Sequence, residues 1–346
     1  MTDQRIGFCC KIVPESPFTD KKAERAWVEA HNIRGTTVTA LDRMDRRAAI
    51  AKIVTIIEHN VQALRAQMAF VGSKPQALRM LRIGSDVLPA RTHANWASAY
   101  QDTAVVRALQ GFAAVGELAL EHDIRLSMHP GQYTLLCSNG DAVVDRAIED
   151  LEYHAEVFRL MGYDGSDQRQ EINIHGGARR SGFLQEFGAN FRRLASDTQR
   201  WLSVENDEFS YCLDDLLPLA DRVKICVDIN HYWIHQGQYL DPEDPRLERV
   251  IESWRGARPE MHVAWPHEEV LVDHSPNQRP DMRVMESQGH LRSHLRKHSN
   301  SPWLTAISSY ALEFWDRFDL CCEAKNKNLT ANELYEHAQI INKTLT

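Results

Sequence analysis

No Cys-x-x-Cys occurs in the sequence, and its seven cysteines include two adjacent pairs, Cys9-Cys10 and Cys321-Cys322. Neighbours on a strand point to opposite faces, so neither pair makes a clip or a chelate. A zinc ribbon is excluded, and the thiols read as buried groups of a reducing compartment. No apolar run approaches the roughly 20 residues of a membrane span. The start, MTDQRIGFCCKIV, lacks the basic region, long apolar core and small-residue cleavage site of a secretion signal. An intracellular, cytoplasmic protein with no membrane partner is expected. No Gly-x-Gly-x-x-Gly follows the first apolar run, which argues against a nucleotide cofactor. Repeats, low-complexity tracts and linkers are also missing, so one domain over 1–346 is expected. A monomer is the expectation, although nothing in the sequence bears on oligomeric state. Positive charge is scarce: 40 Lys and Arg against 48 Asp and Glu leave a net charge of −8. A nucleic-acid partner then requires a localised basic patch.

What the chain does have is eight apolar runs of strand length: RIGFCC, RMLRIGS, DIRLSMH, QEINIHG, WLSVEND, VKICVDINH, EMHVAW and FDLCCEAK. Between them, apolar residues recur every three or four positions over 47–70, 103–121, 141–161, 183–197 and 331–342, which predicts helices. In the first of these, Ile50, Ile53, Val54, Ile57, Val61 and Leu64 form one stripe. Eight strands alternating with helices pair in parallel and close naturally into a (β/α)8 TIM barrel, an α/β fold. The competing arrangement is an open, doubly wound sheet. Residues 266–302, after the seventh strand, read as a long irregular insertion, and structureless loops of that length tend to be functional.

In such barrels the active site lies at the carboxyl ends of the strands. Strand three ends at His129, strand four at His175, strand five at Glu205 and strand six at Asp228 and His231; strand seven carries Glu260 and His262, and strand eight ends at Glu323. Any one of these alone reads as an ordinary rim or core residue. Together they form a ring of carboxylates that would repel and desolvate badly without cations between them. Imidazole and carboxylate ligands without thiolate suit manganese, zinc, iron or magnesium, and this many donors suggests two or three ions. Such a cluster serves phosphoryl transfer or the isomerisation of a sugar, and spacing does not separate the two.

The pieces LRIGSDVLPARTHANW, LSMHPGQYTLL, INIHGGA, LSVENDE, CVDINH, MHVAW and CEAKNK span nearly the whole chain. In order and separation they resemble the UV damage endonuclease family, xylose-isomerase-like TIM barrels of the endonuclease-IV-like superfamily. The resemblance implies a metal-dependent DNA repair enzyme that cuts damaged double-stranded DNA immediately 5′ of a lesion, with manganese the typical ion and zinc or magnesium as alternatives. By position, it implies metal binding at His93, His129, His175, Glu205, Asp228, His231, His262 and Glu323. It further implies a water activated at the ions beside Glu205, Asp228 and Glu323, in-line attack on phosphorus, and 3′-hydroxyl and 5′-phosphate products. Gln132 and Tyr133 fall where the family has the pair that enters the duplex beside the damage. An aromatic ring replaces lost base stacking there, and an amide bonds the bases left behind.

Two departures from the family stand out. Where it commonly has Lys-x-His before the strand-seven histidine, this chain reads Glu260-Met261-His262, so Glu260 is a candidate ligand, a partner of the ligands, or a rim residue. The insertion contains GHLRSHLRKHS, where His290, His294 and His298 lie four apart, sharing a face if helical, among Arg292, Arg296 and Lys297. That segment is the candidate phosphate grip, with His294 near a family histidine close to the scissile phosphate. Arg82, Lys325 and Lys327 either face phosphates or neutralise surplus carboxylates. Other functions remain open: a metal-dependent isomerase or hydrolase of small molecules, or a silent binder of damaged DNA.

Overall fold

The computed structural model of the chain describes residues 3–138 and 140–345. Eight strands pair in parallel in chain order: β1 (Ile6–Cys10), β2 (Met80–Ile83), β3 (Arg125–Met128), β4 (Glu171–His175), β5 (Leu202–Glu205), β6 (Lys224–Asp228), β7 (Glu260–Val263) and β8 (Asp319–Cys322). Pairing of Ile6 with Leu320 and Gly7 with Cys321 joins β8 to β1 and closes the barrel. An open sheet is thereby excluded. Each of the eight apolar runs contributes one strand, trimmed at its ends.

The strands alternate in a particular way. Leu126, Met128, Ile172, Ile174, Leu202, Val204, Ile225 and Val227 join the apolar cluster shared with the helices. Their neighbours Ser127, Asn173, Ser203, Glu205, Glu260 and His262 bond to one another across the barrel interior. A period of two puts one set on each face. The hydrophobic core is therefore the layer between barrel and helices, and the barrel lumen is polar.

The helix Arg46–Gly72, capped by Asp45 accepting the Ala48 N–H, lays Ile53, Ile57, Leu64 and Val71 on that core. Helices Asp141–Leu160 and Asn328–Leu345 match their periodic stretches closely. Two expectations need correction. The stretch Thr103–Glu121 is long and apolar enough to cross a membrane by composition, contrary to the reading above. It folds as two helices, Thr103–Leu109 and Phe112–Glu121, that bury Val105, Leu109, Phe112, Val115 and Ala119 in the barrel shell. The helix expected over 183–197 stops at Phe191, and a second, Ser196–Trp201, leads into β5.

The insertion after β7 is better ordered than its composition implied. His267 N–H donates to the Lys297 carbonyl at 2.9 Å, and Ser299 N–H to that of Trp265 at 2.8 Å, so the segment leaves and returns at one point. Between those ends lie the helix Met282–Ser287 and a 3-10 turn, Arg292–Arg296. Because that turn is only five residues long, His290, His294 and His298 do not share a helical face.

Close approach at one point makes the shell sensitive to a single methyl group. A Cβ on Gly116 would lie 1.7 Å from the Met161 carbonyl oxygen. Ala favours a helix over Gly by ~1 kcal/mol, but the obstacle is backbone that ends another helix and cannot step aside. Gly116→Ala is expected to destabilise the protein by ~1–3 kcal/mol in urea unfolding; an unchanged or raised midpoint would contradict this packing.

Candidate metal centre

Parallel pairing sets the site. Register partners His175 and Glu205, and Asp228 and His262, lie side by side at the carboxyl ends of adjacent strands. Glu205 Oε1 lies 2.9 Å from His175 Nδ1 and 3.5 Å from His129 Nε2, while Oε2 lies 2.6 Å from His262 Nδ1. Glu323 Oε1 is 3.6 Å from His262 Nδ1, and Asp228 Oδ2 is 3.8 Å from His231 Nδ1. The rings of His129 and His175 are 5.1 Å apart, and those of His175 and His231 6.0 Å. Strands β3 to β8 thus bring seven of the expected residues into one cluster, at the base of a cavity of about 540 Å³. His231 belongs to the first turn of the helix Ile229–Gln236, not to β6, and Asp228 caps that turn by accepting the His231 N–H at 2.7 Å.

Whether these residues suit a cation can be judged from their unmet bonds. His129, His175 and Glu205 present ligating atoms within 4.8 Å of one another. His175 Nδ1, His262 Nδ1 and Asp228 Oδ2 are buried with no hydrogen-bond partner of good geometry. Leaving such atoms unsatisfied costs about 1–3 kcal/mol each, and a divalent ion held by them would remove the deficit. Burial disfavours charge on Glu205, yet the imidazoles of His175 and His262 hold its carboxyl well below the usual range. Burial likewise opposes the charged form of His231, but Asp228, Glu205 and Glu208 raise it to about 9. The donor set and the unmet atoms fit divalent ions of the manganese, zinc or magnesium kind.

The floor of the cluster is cationic. Arg82 of β2, 4 % exposed, donates to Glu323, and its Nη2 lies 2.6 Å from His262 Nε2. Arg82 is therefore a neutraliser of carboxylates. Glu260 lies one layer deeper than the cluster, 3.9 Å from Arg82, 3.8 Å from Arg125 and within bonding reach of Ser127 at 3.3 Å. Burial, with Glu171 nearby, pushes its carboxyl up to about 7. It is a partner of the arginines and meets the cluster only from below, its Oε1 3.7 Å from His262 Nε2.

Other expected residues are scattered. His93 sits on a turn outside the cavity lining, its Nδ1 accepting the Asn95 N–H at 3.3 Å. Gln132 and Tyr133 do line the cavity, and Tyr133 is 80 % exposed. From the insertion, Arg296 and His298 line it and His294 does not. Arg292 is a tether, donating to the carbonyls of Ile234 and His235 at 2.8 Å. Lys297 pairs with Glu269, and Lys325 is exposed beyond β8. Sequence reasoning missed four members. Asn173 orients Glu205 by donating at 2.7 Å, and its position two residues before His175 on one strand face was the available signal. Asn206 brackets the Asp228 backbone, and Glu208 faces His231 Nε2 at 3.7 Å. Cys226 lies within 4.8 Å of Glu205 and His262, but burial keeps its thiol protonated and it donates to the Glu260 carbonyl.

Fold and site define a class: a (β/α)8 barrel enzyme built around an imidazole and carboxylate cluster at the carboxyl ends of its strands. Residues 19–344 match the family model for UV-endonuclease UvdE. The chain belongs to that family, the UV-damage endonucleases. A putative UV-damage endonuclease of Acanthamoeba polyphaga mimivirus is 26 % identical over 274 residues, covering 76 % of this chain and 74 % of that one. The UV-damage endonuclease of Schizosaccharomyces pombe is 31 % identical over 198 residues, or 54 % of this chain and 32 % of that longer protein. The crystal structure of SacUVDE shares the fold, with TM-score 0.72 and 21 % identity over 98 % of this chain and 99 % of that one.

Removing Arg82 isolates its role. Arg82→Met strips the cation from Glu260 and Glu323 and the donor from His262, and breaking a buried charge network in this way costs ~3–5 kcal/mol. Urea unfolding without added metal is expected to show that loss; a cost below ~1 kcal/mol would mean the carboxylates do not depend on it.

Proposed function

We propose that the protein is a DNA-repair endonuclease that hydrolyses the phosphodiester bond 5′ of a UV photolesion or other damage in duplex DNA, using two or three divalent ions, manganese foremost. The observation that carries this reading is a cluster of unmet buried donors opening into a cavity whose lining includes the projecting Tyr133. His129, His175 and Glu205 would hold one ion, and Asp228, His231, His262 and Glu323 the rest. Bound ions of this kind supply a water of lowered pKa and offset charge on the phosphate.

The chain's own groups do the remainder. Asn173 and Asn206 keep Glu205 and the Asp228 backbone from turning, through bonds of 2.7 to 3.0 Å. Arg82 prevents the deeper carboxylates from drawing the histidines away from the cavity. Tyr133 enters the stack where damaged nucleotides leave it, and Gln132 bonds to the bases that remain. His294 and Lys325, both exposed, meet phosphates along the duplex, and Lys297 joins them by exchanging its Glu269 partner for phosphate. No side-chain nucleophile is required, and the products are a 3′-hydroxyl and a 5′-phosphate.

Purified protein with manganese is expected to nick UV-irradiated supercoiled plasmid and spare the untreated form, with Glu205→Ala and His175→Ala reducing nicking at least about a hundredfold. Equal inertness of the wild type on both plasmids, with metal present by elemental analysis, would point to a different substrate. Metal uptake is expected to depend on pH. Because His231 without metal holds its proton up to about 9, an ion must displace that proton. Manganese affinity should therefore rise between pH 7 and 9, with proton release measurable by calorimetry in buffers of different ionisation enthalpy. A flat profile would remove His231 from the ligand set.

A further inference from the structure

The cavity has a second aromatic group at its edge that the reaction above does not use. Four residues beyond Glu205 the chain makes a tight turn, in which the Asp207 carboxylate accepts the N–H groups of Phe209 and Ser210, each at 2.7 Å. The Asp207 N–H donates in turn to the Tyr211 carbonyl at 2.8 Å. This pinned turn presents the Phe209 ring to solvent, 48 % exposed. The Arg296 guanidinium lies over the ring, 5.4 Å from its centroid, and is ion-paired to the buried Glu208 carboxylate. Glu208, Ser210 and Arg296 line the same cavity as Tyr133. Among the described residues the large exposed aromatics are Phe18, Tyr133 and Phe209, so two of the three adjoin this one cavity.

We propose that Phe209 and Arg296 form a stacking platform for a nucleobase turned out of the duplex. The inference rests on the DNA-cleaving reading and adds where the extruded base is held. Aromatic rings and guanidinium planes accept the π-face of any base. Glu208 offsets the charge of Arg296, so the guanidinium offers a flat face more than a phosphate contact. The Asp207 turn fixes the ring in advance, which lowers the ordering cost of receiving a base. Tyr133 fills the vacated stack, and Phe209 takes what left it.

The test uses the manganese-loaded protein and a duplex carrying one photoproduct with 2-aminopurine beside it. Phe209→Ala is expected to weaken binding of the damaged duplex about ten- to a hundredfold, with the loss falling on KM more than kcat. The 2-aminopurine emission should rise, because the base still leaves the helix but has no partner. Phe209→Trp should restore both signals and Phe209→Leu neither, with all three variants matching the wild type in thermal unfolding. Leucine acting as well as tryptophan, or Phe209→Ala matching the wild type in affinity and emission, would overturn the platform while leaving the nuclease intact. A wild type that neither binds nor cuts the damaged duplex would overturn both readings.

Discussion

Glu205 is 1 % exposed, and its two oxygens meet nitrogens of three histidines at 2.6, 2.9 and 3.5 Å. A carboxylate so placed cannot shed its charge into water. Three imidazoles cannot all be protonated around it without repelling one another, and burial already disfavours the charged form of His129. Without an ion, Glu205 favours the protonated forms of His175 and His262; a divalent cation, as proposed above, would supply the same charge without protons. This condition dictates the rest of the site. Asn173 keeps the carboxylate aimed, and Arg82 holds His262 and Glu323 from below.

That demand explains the unusual lumen. A barrel interior filled by branched aliphatic residues would stabilise the fold more simply. Here Arg82, Arg125 and Lys224 face Glu171, Glu260, Asp319 and Glu323 instead. Such networks add little net stability, since desolvation offsets attraction, but removing one member is costly. They confer orientation. Stability comes mainly from the opposite faces of the same strands, where the apolar alternates pack on the helices. Each strand thus divides its residues between folding and chemistry.

The outer surface bears on how an acidic chain would approach a polyanion. Much of the basic insertion is already neutralised: Arg292 by Glu286, Lys297 by Glu269, Arg296 by Glu208. On the proposed reading, attraction to phosphate would fall chiefly to ions held by the cluster and to exposed cations such as Lys325. Selection for damage would then fall to the neutral groups proposed above, whose rings reward a base that leaves its stack easily.

Much of this was legible in the residue order. Eight apolar runs with helical stretches between them specified the closed barrel, because the alternation leaves few other ways to bury both faces of parallel strands. Seven cluster members were visible as the polar residues ending those runs, since strand ends share one face of a barrel whatever the details of packing. What the order of residues could not decide was depth and direction. Glu260 and His262 differ by two positions on one strand, and only the barrel's layering assigns one to the arginines and the other to the cluster. In the insertion, spacing placed three histidines on a common helical face, yet the segment forms only a five-residue turn, and of the three only His298 lines the cavity. Sequence by itself determined the fold and the ring of imidazoles and carboxylates, because local periodicity carries both. Tertiary structure alone decided which charges cancel and which remain for the substrate, because that depends on distances between groups far apart in the chain.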